Sequence, residues 1–112
     1  MSDIKSRSYL YALNVIKYLQ RLNQRDFILL TIAKQLVRSA TSVGANIIEA
    51  QAASSKKDFT NFLNHSLKSV NESKFWLDLL KDLGNEDVGL INESKEIGAI
   101  LGASLLTLKE QR

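Results

Sequence analysis

Arg38-Ser-Ala-Thr-Ser-Val-Gly-Ala-Asn-Ile-Ile-Glu-Ala-Gln-Ala-Ala-Ser-Ser-Lys-Lys-Asp-Phe59 is the stretch that decides the fold. From Ser39 to Ala53 it carries a single charge, Glu49, and nearly every other residue is Ala, Ser, Thr, Gly or a β-branched aliphatic. A solvated helix face would be studded with Lys and Glu. Short side chains let helix axes approach closely, so a segment this bare predicts neighbours on more than one side. It runs into Ser55-Lys-Lys-Asp58, which has capping-box spacing with Asp in place of the usual Glu or Gln, so a new helix starts where the bare one ends.

Working outward, Asp26 is placed to cap the bare helix, which is predicted over residues 27–53. Leu29, Ile32, Leu36, Val43, Ile47 and Ala50 form its core seam. Arg38, Ser42, Asn46 and Glu49 climb another face as a polar ladder. Arg38 and Glu49 lie about three turns apart, too far to pair, so each needs a partner on another helix or another subunit. Gly44 costs about 1 kcal/mol relative to Ala in mid-helix and is accounted for by close packing or a slight kink. The next helix, 56–83, has Phe59, Leu63, Ser66, Val70, Ser73, Leu77 and Leu80 on its seam, and Gly84 is its left-handed stop. Phe75 and Trp76 point about 100° apart. One is expected to anchor the core and the other to reach an interface.

The first helix is predicted over 6–22. Asn14, Lys17, Arg21 and Gln24 make one narrow polar stripe, and the remaining apolar surface is wider than one core-facing stripe requires. One side is expected to bury in the monomer and the other, carrying Tyr11 and Tyr18, to be available to a second subunit. The last helix is predicted over 90–109, with Gly98 and Gly102 at a spacing that means close backbone contact. Four helices joined by short connections give an all-α, antiparallel up-down-up-down four-helix bundle, one domain over 1–112.

Composition narrows the function. With no proline and only five glycines among 112 residues, the chain suits long helices and not a sandwich or barrel. The absence of cysteine excludes disulfides, thiolate nucleophiles and Cys-ligated metals. His65 stands alone, without a matched ligand or orienting carboxylate, and there is no phosphate loop, so no enzyme, metal or cofactor is expected. The near-apolar run Ile97 to Leu108 is shorter than the roughly 20 residues of a membrane span, and the N-terminal residues lack a secretory pattern. A cytoplasmic location is expected. Residues 1–38 hold seven basic and two acidic side chains against eight and ten in the rest, so the formal +3 comes from a basic first half. Lys5, Arg7, Lys17, Arg21, Arg25 and Lys34 are the candidate contacts to nucleic acid.

The run from Arg38 to Ala50, then Ser-Lys-Lys-Asp-Phe59 and Glu72-Ser-Lys-Phe-Trp-Leu-Asp-Leu-Leu-Lys-Asp-Leu-Gly84, resembles the four-helix-bundle proteins related to those encoded in intervening sequences of bacterial 23S rRNA genes. The resemblance spans essentially the whole chain. Many members have Pro where this chain has Gly44. It implies an antiparallel bundle that assembles as a ring, commonly a homopentamer. Accessory proteins of diversity-generating retroelements share this architecture, and there a basic pentameric barrel binds nucleic acid and a reverse transcriptase. No enzymatic activity is implied. Arg38, Asn46, Glu49, Asp58 and Glu72 carry over as pattern residues, expected to serve the bundle or its assembly, as is Trp76. The resulting expectation is a non-enzymatic homo-oligomeric scaffold that binds RNA or DNA. The alternative is an adaptor that docks a protein partner.

Overall fold

Both predicted N-caps form, and Asp87, which was not predicted as one, caps the last helix two residues before its expected start. Asp26 accepts from the Leu29 amide at 3.1 Å and opens a helix over Phe27–Gln51, Ser55 Oγ accepts from Asp58 at 3.1 Å and opens Lys56–Asp82, and Asp87 accepts from Leu90 at 3.0 Å and opens Val88–Glu110. With the first helix, Ser2–Leu19, these are α1 to α4 of the computed structural model, which describes residues 2–111. α1 begins four residues earlier than its apolar pattern and stops at Leu19. Beyond it the amides of Arg21 and Leu22 bond the carbonyls of Tyr18 and Leu19, a tighter turn that ends the α-helical ladder. Gly84, at φ 90°, closes α3 as expected, with its amide on Lys81 and that of Asn85 on Leu80.

Contacts between helices set the topology. Ser66 of α3 reaches the Val43 carbonyl and Ser69 reaches Ser42, so α2 and α3 run in opposite directions. Ser8 lies against Gly44 while Leu19 shares a groove with Leu30, Val70 lies against Gly98 while Asn64 shares one with Lys109, and Arg7 reaches Glu93 while Arg21 reaches Asp87, so each of these neighbouring pairs is antiparallel. α1 packs on α2 and α4, and α3 on α2 and α4, in a bundle of 49 × 20 × 20 Å.

The core holds Leu36, Val43, Ile47, Leu63, Val70, Leu77, Leu80, Ile97 and Leu101. Serines are interleaved with them at Ser8, Ser39, Ser66, Ser73 and Ser94. Ser39, Ser73 and Ser94 donate to carbonyls of their own helix, so the hydroxyls are satisfied while the helix stays thin. Ser8 Oγ, packed on Gly44, has no hydrogen-bond partner among the described residues. A Cβ at Gly44 would sit 3.5 Å from that of Ser8, which accounts for the close approach of α1 and α2.

Two expectations need correction. Tyr11 and Tyr18 are not on an outer face: they are 1% and 5% exposed. Tyr11 hydroxyl shares a 2.7 Å hydrogen bond with Ser73, and Tyr18 donates to the Asn85 carbonyl at the α3–α4 turn. The small serines of α3 and α4 leave room for a tyrosine ring, and its hydroxyl finds a polar partner at depth. Burial pushes both phenols up to about 12. The second correction concerns the glycine pair of α4. Gly98 lies against Val70 at 3.6 Å, but none of the described residues comes within 4 Å of a Cβ at Gly102.

Candidate functional site

The six basic candidates do not converge. Arg7 is bound on both sides, with Nε to Glu93 at 3.0 Å and a terminal nitrogen to Glu93 at 2.6 Å and Glu96 at 2.7 Å. These carboxylates hold its guanidinium in the charged form even more firmly than usual. An arginine held this way is a strut between α1 and α4, its charge already engaged by two carboxylates. Arg21 leans over the Tyr18 ring and stands 3.8 Å from Asp87. It shares a groove of about 420 Å³ between α1 and α4 with Asn14, Lys17, Asp87 and Glu93. The polar stripe of α1 therefore faces an acidic line on α4, and the groove is mixed in charge. Lys5 lies on the other edge of α1, beside α2, and Lys34 faces the same edge farther along. Arg25 is exposed in the α1–α2 turn.

Two rungs of the ladder on α2, Arg38 and Ser42, have partners on α3 of the same chain. Arg38 pairs with Glu72, which also accepts from Trp76 Nε1 at 3.0 Å. Asn46 donates to the carbonyl and the hydroxyl of Ser42, and Ser69 donates to that hydroxyl at 3.1 Å. Glu49 and Asp58 are exposed. Trp76 is half-buried and meets Phe75 edge-on at 4.9 Å, while Phe75 stays 55% exposed, so the pair divides between core and surface as expected. His65 is exposed and tilted against Phe62. Among the described residues no three His, Cys, Asp or Glu side chains are grouped to hold a metal ion, and no helix is long and apolar enough to cross a membrane.

What the sequence reading missed is the acidic partner of α1. Glu93 and Glu96, three apart on α4, share a helix face and are the signal that was available. The structure also leaves two apolar faces uncovered. Between α1 and α2 runs a groove of about 650 Å³, floored by Ala12, Gly44 and Ala45 and walled by Tyr9 and Ile48, which are 68% and 54% exposed. On the opposite side, Gly102 opens into a groove of about 500 Å³ beside Leu67, Leu105 and Leu106. The bare segment of α2 thus has α1, α3 and the core as neighbours within the chain, and only its outer face along the α1/α2 groove is uncovered.

Known proteins of this shape give the family. The model of the 23S rRNA-intervening sequence protein family matches residues 2–103. The chain belongs to that family. A solved structure similar to this 23S rRNA-intervening sequence family member is a protein of unknown function from the S23 ribosomal protein family of Bacteroides thetaiotaomicron VPI-5482. The two share 35% identity and a TM-score of 0.82, over 91% of this chain and 97% of the other. No curated protein matches the chain. For the family as for this neighbour, the fold is defined and the activity is not.

Proposed function

We propose that this protein is a non-enzymatic scaffold of the cytoplasm that works as a homo-oligomer, a ring of five by its resemblance, and that the assembled ring binds RNA or DNA. The uncovered α1/α2 groove carries the reading. Tyr9, Ile48, Ala12 and Ala45 form a contiguous apolar surface at the level of the thin segment of α2, with no side chain of the chain itself to cover it. Large exposed apolar patches mark interaction surfaces. Of the six basic candidates, the four that make no ion pair among the described residues, Lys5, Lys17, Arg25 and Lys34, then recur in every copy and sum to a field that one chain does not have. Five copies of a net +3 chain carry about +15, enough to hold phosphates in a salt-dependent way.

Light scattering tests the first half of the proposal: assembly at tens of micromolar is expected, and a clean monomer would sink it. Fluorescence anisotropy with a labelled oligonucleotide at low salt tests the second. Binding should weaken steeply with salt and should drop when Lys17 and Arg25 are reversed to Glu. A protein that assembles but binds no oligonucleotide favours the adaptor reading. One observation supports that alternative: Arg7 and Arg21, two of the six basic candidates, are already engaged by carboxylates of α4.

A further inference from the structure

The acidic half of the chain carries a basic face that its net charge conceals. Of the seven lysines on α3 and α4, Lys74 and Lys81 pair with Asp78 and Glu86. Lys56, Lys57, Lys68, Lys95 and Lys109 make no ion pair among the described residues. These five border the groove between α3 and α4. Lys56 and Lys57 line one end of it with Leu108, and Lys109 lines the adjoining stretch with Leu67, Gly102, Leu105 and Leu106. At the other end Asn71 comes within 3.7 Å of a Cβ at Gly98, and Lys68 and Lys95 each stand three residues from that pair, on the same faces of their helices. No acidic side chain lines either stretch. The next acids along this side of α3, Asp78 and Asp82, come two and three turns beyond Asn71, and Glu96 of α4 is turned to Arg7.

Between these lysines the groove is apolar and open. From Ile97 to Leu108 α4 carries no charge, yet Leu106 is 59% exposed, while Leu67, Leu105 and Leu108 are half-buried along the walls. Gly102 marks the opening. Glycine costs helix stability relative to Ala, and a Cβ there would meet none of the described residues, so no contact inside the chain accounts for it. The result is a concave apolar strip with unengaged positive charge along both edges.

We infer that this groove seats an amphipathic helix of a partner protein, with an apolar stripe turned to Gly102 and acidic side chains on both flanks. Lys57 and Lys68 are eleven residues apart, about 16 Å along α3, which fits a guest of about three turns. Other occupants match only part of the surface. Phosphates would answer the lysines of the groove but leave its leucines bare, and no aromatic ring lines it to stack a base. A bilayer reaches what protrudes, and of the four leucines only Leu106 does. The uncovered α1/α2 groove of a second copy would bring Lys5 and no acid. The inference rests on neither the self-assembly nor the nucleic-acid binding proposed above.

The probe is a fluorescein-labelled helical peptide of about 15 residues, with leucines on one stripe and glutamates on both flanks, and its control carries lysines in place of the glutamates. Anisotropy with the full chain at low salt is expected to give a Kd of about 10–100 µM for the acidic peptide, rising with salt, and binding at least about tenfold weaker for the control. Two variants locate the site. Gly102→Leu fills the opening where a Cβ meets none of the described residues, and the double change Lys57→Glu with Lys109→Glu reverses two exposed edge charges. Circular dichroism checks that both fold, and each is expected to weaken the acidic peptide at least about tenfold. Failure of that peptide to bind, equal binding of the control, or unchanged affinity in either folded variant overturns the proposal. So does a different occupant. An oligonucleotide or a phosphatidylserine vesicle whose binding Gly102→Leu abolishes assigns the groove to phosphates or to a lipid surface, and a light-scattering mass that falls in Gly102→Leu assigns it to a second copy.

Discussion

Replacing Tyr11 with Phe separates two effects of the same hydroxyl, one at neutral pH and one in alkali. At pH 7 the substitution removes the 2.7 Å hydrogen bond to Ser73. Ser73 keeps its own bond to the Val70 carbonyl, so no donor is orphaned and the loss should be about 1 kcal/mol. In alkali the sign reverses. Burial raises the Tyr11 phenol from 10.0 to about 12, so the unfolded chain loses its proton first and the neutral, folded form is progressively disfavoured. The stability tied to the neutral hydroxyl is complete below pH 10, falls between 10 and about 12, and is gone above, a total of about 3 kcal/mol. Phe has nothing to ionise. The wild type should therefore be the more stable protein at pH 7 and the less stable at pH 11.5, with the two curves crossing between about pH 10 and 11. Urea unfolding followed by circular dichroism, at one protein concentration and several pH values, reads this directly. A difference between wild type and Tyr11→Phe that stays constant from pH 7 to 11.5 would refute the claim that burial holds this phenol neutral.

Three further outcomes are expected. Asp26→Ala and Ser55→Ala each remove the side chain that starts a helix and should each cost about 1 kcal/mol in denaturant unfolding, whereas Ser54→Ala next to the second cap should cost little. Gly102→Ala, measured on the Ile48→Glu background so that assembly does not enter, should stabilise the fold by about 0.5–1 kcal/mol, because the methyl group has space and glycine is a poor helix former; a loss of stability would mean the site is tighter than the geometry describes. Arg38→Ala should change stability by less than about 1 kcal/mol despite the pairing with Glu72, since Arg38 is mostly exposed, and a larger loss in thermal unfolding would show the ladder to be structural.

Periodicity and capping chemistry carried most of the architecture. Asp26, Ser55 and Gly84 act locally, on amides and carbonyls a few residues away, so their roles follow from the residue types and spacing alone. The seams of α2 and α3 are equally local: the buried residues of α3 are all predicted ones, whereas α2 also buries Ser39 and Ala40, outside its predicted seam, and leaves Leu29 and Ile32 half-buried. Partners distant in sequence were another matter. The apolar surface of α1 does have a buried side and an open side, but the two residues assigned to the open side, Tyr11 and Tyr18, are buried, and the room for Tyr11 is made by Ser73, 62 residues away. Arg7 read as a free cation for the same reason: its carboxylates belong to α4, 86 and 89 positions along the chain. The Arg38 to Glu49 ladder was visible as spacing, while its acceptors on α3 were not. A charge stripe shows only what a helix offers, and the facing helix decides how much of the offer is left for a ligand.

The unequal packing of the four helices has a consequence for how the molecule opens. The α2–α3 hairpin shares the most extensive contact in the bundle, and α1 leans on its neighbours over much less. In hydrogen exchange the amides of α2 and α3 should be the last to be released, and those of α1 among the first, by detachment of a whole helix and not by global unfolding. α1 also forms one wall of the uncovered groove. A copy that seats there clamps the least secured helix of its neighbour, so association would slow the exchange of α1 most of all.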